Sequence, residues 1–244
     1  MIYLSYQIPP PKQKAETRAD SLPDPASARE SPSLRLISPK KVRAKCIISS
    51  QMDKKEKLEN LNKKWFEECT CELKKTATQA VPGDGNPNAE IVFIGEAPGR
   101  SEDKEGRPFV GAAGKFLDEM LEEINLKRED IYITNIVKYR PPNNRDPSPE
   151  EKASCREWLL EELKIISPKL IIFLGRHAMN NFFPELQISN AHGKLLIKAF
   201  KGMSPKYFFP LYHPAAALYD GSMRDILMAD FRKIPKVLEK IENP

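Results

Sequence analysis

The sequence contains no run of apolar residues that approaches the roughly 20 needed to span a membrane. Its opening segment, MIYLSYQI, lacks the basic start of a signal peptide and runs directly into a stretch of prolines. These absences predict a protein without a membrane segment that remains inside the cell, in the cytoplasm or the nucleoid.

Cysteine is also scarce, with four residues at positions 46, 69, 71 and 155. Their number and irregular spacing do not match the framework of a disulfide-rich secreted protein. A phosphate-binding P-loop is missing as well, because no Gly-Lys-Ser/Thr triplet follows the glycine-bearing turn at residues 95–99 at the required distance. This absence disfavours a generic nucleotide-binding α/β protein.

The composition that is present describes one domain with a tail. Residues 1–45 hold seven of the 22 prolines and few aromatic residues, a composition that predicts a disordered tail. The folded domain is expected over residues 52–241. The net charge of +5 suits a polyanion such as DNA, since neutralising phosphates releases counterions, but a solvated basic surface gives the same balance.

Short apolar runs alternate with helical patterns along the domain. Alternation of this kind predicts parallel strands joined by helical crossovers, and therefore an α/β fold with a sheet covered on both faces. Ser148, Pro149 and Glu151 mark a helix start with a capping box. The predicted strands are residues 91–94, 131–137, 170–174 and 207–211. The predicted helices are residues 52–69, 113–124, 149–166, a segment after 175, and 223–241.

Three of the predicted strands end in polar or glycine-bearing segments. These are GEAPG after the first strand, the region of Asn135 in the second, and HPAAAL after the fourth. Because ligands bind at the carboxyl ends of parallel strands, the three segments are expected to meet in one cleft. Glu96 would bring a carboxylate to that cleft, although a plain turn between strand and helix explains GEAPG equally simply.

Four motifs in order and spacing resemble the family 4 uracil-DNA glycosylases. They are GEAPG, EDKEGRPFVGAAG, YITNIVKYRPPNNR and HPAAAL, and the similarity covers about residues 71–234. The resemblance implies a three-layer α/β/α sandwich with a central four-stranded parallel sheet. It also implies a monomeric base-excision-repair enzyme that flips uracil out of DNA and hydrolyses its N-glycosidic bond, leaving an abasic site.

The resemblance assigns two catalytic residues. Glu96 would orient or activate the attacking water and stabilise positive charge that develops on the sugar. His213 would donate a hydrogen bond to uracil O2 as negative charge collects on the departing base, and the sequence leaves its protonation state open.

Further positions follow from the same resemblance. The amide of Asn135 would match uracil O4 and N3 and reject cytosine, which presents the reverse pattern. The other implied substrate-binding residues are Ala97, Pro98, Glu102, which would exclude the thymine methyl group, and Phe109, which would stack on the flipped base. The implied DNA contacts are Leu218 as a wedge and Lys138, Arg140 and Arg145 at phosphates. His177 and His192 are assigned to surface or packing.

The family usually binds a four-iron four-sulfur cluster through four cysteines. Only Cys71 and Cys155 fall in register here, whereas Tyr139 and Glu68 occupy the other two positions and Cys69 is offset by one residue. We therefore predict that the cluster is lost, that no metal is bound and that the thiols are buried and free. Zinc held by Cys69, Cys71 and Cys155 is the alternative, without obvious further ligands.

The main competing function is a non-catalytic protein of the same fold that binds uracil-containing or damaged DNA. Release of uracil from an oligonucleotide separates the two hypotheses.

Overall fold

A computed structural model of the chain describes residues 39–199 and 206–243, with side chains from Lys54 onward. Most of the predicted tail, residues 1–45, lies outside the described residues, and the first described helix begins at Pro39, within that tail. No helix in the described part of the chain is long and apolar enough to cross a membrane.

Helices and strands alternate through the domain. The strands are β1 Asp84–Gly85, β2 Ile91–Gly95, β3 Tyr132–Asn135, β4 Leu170–Leu174, β5 Leu196–Lys198 and β6 Lys206–Leu211. The helices are α1 Pro39–Glu68, α2 Arg100–Glu105, α3 Ala112–Glu123, α4 Pro149–Ile166, α5 Arg176–Asn180, α6 Ile188–Ala191, α7 Ala216–Tyr219, α8 Gly221–Phe231 and α9 Ile234–Glu242.

The strands form one sheet in the order β1-β3-β2-β4-β6-β5. Pairing is parallel between β3 and β2, β2 and β4, and β4 and β6, and antiparallel at the edges. The predicted α/β class is confirmed, but the sheet is mixed and has six strands among the described residues. The edge strands β1 and β5 were missed because two or three residues carry no recognisable period.

The sheet is buried on both faces because its side chains alternate between two apolar cores. Phe93 belongs to the core that also contains residues of α3, α8 and α9. Its neighbours Val92 and Ile94 belong to the opposite core, with residues of α4, α5 and α6. The buried patterns of β2 and β4 follow from this double coverage.

A capping serine and a proline account for two of the helix boundaries. Ser148 caps α4 as predicted, since its hydroxyl accepts from the Glu151 amide and the Glu151 carboxylate accepts from the Ser148 amide, at 3.2 and 2.7 Å. The single helix expected over residues 223–241 is instead α8 and α9. Pro235 lies in the first turn of α9, where a missing N–H is tolerated, whereas in a continuous helix it would break a hydrogen bond.

Candidate active site

The cleft lies at the carboxyl ends of the central strands. Gly95 at the end of β2 pairs in register with Asn135 at the end of β3, and β6 leads within two residues to His213. The three polar segments singled out in the sequence therefore meet, as the parallel strand directions require.

Gly95 permits close contacts that any residue with a Cβ atom would prevent. A Cβ atom at this position would lie 2.4 Å from Asn135 Oδ1 and 2.7 Å from the Phe109 ring. The Phe109 ring in turn stacks against the His213 ring, with centroids 5.7 Å apart and planes inclined by 27°. The absent side chain of Gly95 thus lets the Asn135 amide and the Phe109 ring approach the end of β2 closely, with the His213 ring stacked on Phe109.

Asn135 brings an unpaired polar atom to the site beside Gly95. The residue is 2% exposed, and its Oδ1 has no hydrogen-bond partner among the described residues. A buried acceptor without a partner costs free energy, which a ligand that donates a hydrogen bond recovers. The site beside Gly95 therefore combines one unpaired buried acceptor with two stacked rings.

His213 is held in one tautomer. Its Nδ1 accepts a hydrogen bond from the Ala215 amide at 3.1 Å, so in the neutral ring the proton lies on Nε2. Burial lowers the pKa of His213 to about 4, against a smaller opposing effect of the Glu102 charge. With this pKa the ring is uncharged at neutral pH and can donate through Nε2.

Glu96 is partly buried at the start of the loop after β2, with its side chain 23% exposed. Burial raises the pKa of its carboxyl group to about 7, and the negative charge of Asp146 adds to the rise, while Lys152 and Arg176 oppose it. A carboxyl group with a pKa near neutrality exchanges protons readily under physiological conditions.

Two residues beside Glu96 were missed in the sequence. His177 Nε2 lies 3.0 Å from Asp146 Oδ2 and 3.8 Å from Glu96 Oε1, a proximity to Glu96 that its assignment to surface or packing did not include. Glu96, Asp146 and His177 each offer one atom that could bind a metal ion, and these three atoms lie within 4.8 Å of one another. The Arg176 guanidinium lies 3.3 Å from Asp146. The position of His177 immediately after β4 was the available signal.

The Glu102 carboxylate is engaged by backbone amides. It accepts hydrogen bonds from Gly99, Val110 and Gly111 at 3.1, 3.0 and 2.8 Å. Glu102 thereby joins the start of α2 to the segment that follows Phe109. Ala97 and Pro98, in the same loop, are half-buried and buried respectively.

The residues expected at DNA differ in accessibility. Leu218 is 48% exposed on α7. Arg140 donates from Nε to Asn144 Oδ1 at 2.7 Å, and Arg145 forms a bidentate ion pair with Glu151. Lys138 is only 4% exposed, and its Nζ lies 2.7 Å from Glu162 Oε2. The expectation that Lys138 contacts a phosphate is therefore corrected, because its charge is neutralised inside the domain.

The described cysteines gather beneath the loop that carries Glu96. Cys69, Cys71 and Cys155 are buried and free, and they pack with Tyr139 and Trp65. Cys69 is offset by one residue from the cysteine spacing of the family, yet its sulfur accepts a hydrogen bond from the Cys71 amide at 3.5 Å. Hydrogen bonds from the Cys155 and Cys69 thiols lower the pKa of Cys71.

These residues do not fit a four-iron four-sulfur cluster, which requires four thiolates or equivalent ligands. Tyr139 occupies the third ligand position, is 3% exposed and stacks on Trp65 with centroids 5.0 Å apart. Burial also raises its pKa to about 12, so the phenol stays protonated at neutral pH. Three thiols therefore lie together among the described side chains, and the stacked rings of Tyr139 and Trp65 pack beside them.

Comparison with known proteins gives a consistent result. A sequence model of the Uracil DNA glycosylase superfamily matches residues 82–239. The chain is 50% identical to the type-4 uracil-DNA glycosylase of Sulfurisphaera tokodaii over 170 residues, which cover 67% of this chain and 77% of that protein. It is also 50% identical to the type-4 enzyme of Archaeoglobus fulgidus, over 70% of this chain and 87% of that one. Identity to the type-4 enzyme of Thermotoga maritima is 40%, covering 76% and 97%.

Proposed function

The chain belongs to the uracil-DNA glycosylase superfamily, and from this membership together with the geometry of its cleft we propose that it excises uracil from DNA in base excision repair. It is an enzyme, a DNA glycosylase that hydrolyses the N-glycosidic bond. We further propose that it is monofunctional, acts as a monomer and reaches its substrate by flipping the base out of the helix.

The observation that carries this assignment is the unpaired, buried Oδ1 of Asn135, which lies against Gly95. Uracil N3–H would donate to that oxygen, and the amide NH₂ would donate to uracil O4. Cytosine offers an acceptor at N3 and a donor at N4, which would leave groups on both sides unpaired. Phe109 would stack on one face of the base.

The proposed reaction uses two side chains. Glu96, as a carboxylate, orients a water molecule toward C1′ and stabilises the positive charge that develops on the sugar. The C1′–N1 bond breaks with its electron pair leaving on uracil, and His213 stabilises the resulting negative charge by donating Nε2–H to O2. Water adds to C1′ and loses a proton to Glu96. That proton then passes through solvent to the uracil anion, so the products are uracil and an abasic site, and the Glu96 carboxylate is regenerated.

The DNA contacts remain a proposal for Leu218, Arg140 and Arg145. Leu218 is exposed close to His213 in sequence, so it suits a wedge into the gap left by the flipped base. Arg140 and Arg145 flank the short turn after β3 and would contact phosphates near the cleft.

The test is uracil release from a single-uracil oligonucleotide by the wild type, Glu96→Gln and His213→Ala. We expect release by the wild type and a loss of roughly 10²–10⁴-fold in each variant, the range for removing a proton-transfer group or a charge-stabilising donor. Glu105→Gln, at an exposed position of α2, is the matched control and should retain full activity. Wild-type protein that binds uracil-containing DNA without releasing uracil would overturn the enzyme assignment in favour of a binding protein.

We also propose that the family cluster has been lost and that aromatic packing has replaced it. The support is the donor set, in which a buried phenol stands where the third thiolate is required. Protein purified without oxygen is expected to contain no stoichiometric iron and no band near 400 nm, roughly where thiolate-bound iron clusters absorb. The double variant Glu68→Cys/Tyr139→Cys, reconstituted with iron and sulfide, is the positive control, and a brown wild-type protein would refute the proposal.

A further inference from the structure

The backbone of Phe109 adopts an uncommon conformation. Its φ is +53°, in the left-handed region that bulky residues rarely enter. The residue is 6% exposed, and its ring lies against Gly95 and stacks on the His213 ring. Such a conformation persists only where the surrounding structure holds it in place, and it often accompanies a functional site.

One peptide group, the one that joins Phe109 to Val110, is held at both ends by opposite charges. Its carbonyl oxygen accepts a hydrogen bond from Arg128 Nη2, and its N–H donates to Glu102 Oε1 at 3.0 Å. Hydrogen bonds to charged groups are stronger than those between neutral groups. Arg128 and Glu102 therefore fix the direction of this peptide plane.

The Arg128 guanidinium is itself anchored. Nε donates to Asp118 Oδ1 of α3 at 2.5 Å, and Nη1 donates to the Pro108 carbonyl at 3.3 Å. Its side chain is 28% exposed. Arg128 thus ties α3 to two consecutive carbonyls of the loop.

Tight packing removes other positions for the loop. A Cβ atom on Gly114 of α3 would lie 1.9 Å from the Phe109 carbonyl oxygen, so helix and loop are in direct backbone contact. On the other side, the Phe109 ring fills the space next to Gly95. The backbone and the ring of Phe109 are therefore both confined by close contacts.

We propose that Arg128 is a positioning residue which, together with Glu102, holds Phe109 in its left-handed conformation and so presents the ring to the flipped base. The inference rests on the proposed function, because it assigns Phe109 the stacking role. It also gives Glu102 a task besides the exclusion of thymine, namely to hold the loop. Arg128 acts through Phe109 and contacts no reacting atom.

The test is a double-mutant cycle on uracil release with Arg128→Met, Phe109→Ala and the combination. Arg128→Met should lower kcat/KM by roughly 10- to 100-fold, the range for loss of one base-stacking contact. In the Phe109→Ala background the same change should cost less than about twofold, since no ring remains to be positioned. Arg128→Lys, which keeps the charge but loses the forked geometry, should be intermediate.

Arg107→Met is the matched control, because Arg107 lies in the same loop as Phe109 but pairs with Asp84 at the surface. It should leave kcat/KM unchanged. An equal loss from Arg128→Met in both backgrounds, or no loss in either, would overturn the proposal. An inactive wild type would instead point to failure of the proposed function.

A second measurement does not depend on activity. Amide hydrogen exchange of peptides covering residues 108–111 should be faster in Arg128→Met than in Arg107→Met, because the held peptide is released. Equal exchange in the two variants would refute the positioning role even if the chain proved not to be a glycosylase.

Discussion

The charge on Glu96 depends on burial and on the charged residues around it. Burial is the larger cause of its raised pKa, and the Asp146 carboxylate adds to it because a second negative charge disfavours ionisation of the first. His177, with a pKa lowered by burial, lies between the two. The proposed water-orienting role needs Glu96 as a carboxylate, so its pKa sets the lower limit of the working pH range.

Uracil release is therefore predicted to fall as the pH drops through about 7, where Glu96 becomes protonated. Asp146→Asn removes a negative charge, lowers the pKa of Glu96 and shifts this acidic limb to lower pH. Single-turnover rates between about pH 5 and 9 measure the shift. Asp225→Asn, at an exposed position of α8, should leave the profile unchanged, and an upward shift in Asp146→Asn would contradict the prediction.

Asn135 should show opposite effects on stability and on activity. Asn135→Leu has a similar volume and removes an unpaired buried acceptor, so we expect the free energy of unfolding to rise by about 1 kcal/mol. Uracil release should fall at least roughly 100-fold, because uracil N3–H and O4 would then be buried without partners. Thermal denaturation and single-turnover assays test both parts. A destabilised variant, or one that is stable and fully active, would count against the proposed role.

At the scale of elements, a buried polar network joins β3 to α4. The Glu162 carboxylate of α4 accepts hydrogen bonds from Tyr132 and Thr134 of β3 at 2.8 and 3.0 Å, and from Lys138 at 2.7 Å. Because the Lys138 and Glu162 side chains are 5% and 3% exposed, each charge depends on the other for compensation. The network holds the strand that ends in Asn135 against its covering helix.

Lys138→Met is predicted to destabilise the fold by about 3–5 kcal/mol, because it leaves the Glu162 charge buried without a cation. The double variant Lys138→Met/Glu162→Leu should recover part of this loss. Urea denaturation measures both variants. If Lys138→Met were as stable as the wild type but bound DNA more weakly, the phosphate contact expected from the sequence would be reinstated.

At the scale of the whole molecule, the net charge of +5 favours association with a polyanion. Many basic side chains of the described domain are already paired, among them Arg224 with Glu119 and Arg232 with Glu123 on α8 and its flank. Of the two proposed DNA contacts, Arg145 is itself paired with Glu151, whereas Arg140 donates to the neutral side chain of Asn144. The part of the basic charge that serves DNA binding is thus smaller than the composition suggests.

The logarithm of the DNA association constant is predicted to fall linearly with the logarithm of salt concentration. Arg140→Gln should reduce the slope by about one, the value for loss of one phosphate contact. Fluorescence anisotropy on a uracil-containing oligonucleotide measures the slope. Lys240→Gln, on α9, is the control and should keep the wild-type slope. Equal slopes for Arg140→Gln and the wild type would remove Arg140 from the DNA interface.

Much of this protein could be predicted from the sequence because the relevant signals are local. The alternation of apolar runs and helical patterns predicts the α/β class, and the ends of three strands predict one cleft. GEAPG and HPAAAL identify the family because each motif is a contiguous segment. The misplaced cysteines are visible in the same way, as departures from a known spacing.

Only the tertiary structure decided which charges face each other. Lys138 and Glu162 are 24 positions apart and read equally well as surface residues, yet they form a buried pair. Asp146 and His177 meet at Glu96, and Arg128 reaches the Phe109 carbonyl, because the packing of α3, α4 and α5 on the sheet brings them together. Periodicity reports which face of an element is apolar, whereas the partner of a charged side chain depends on how distant elements pack.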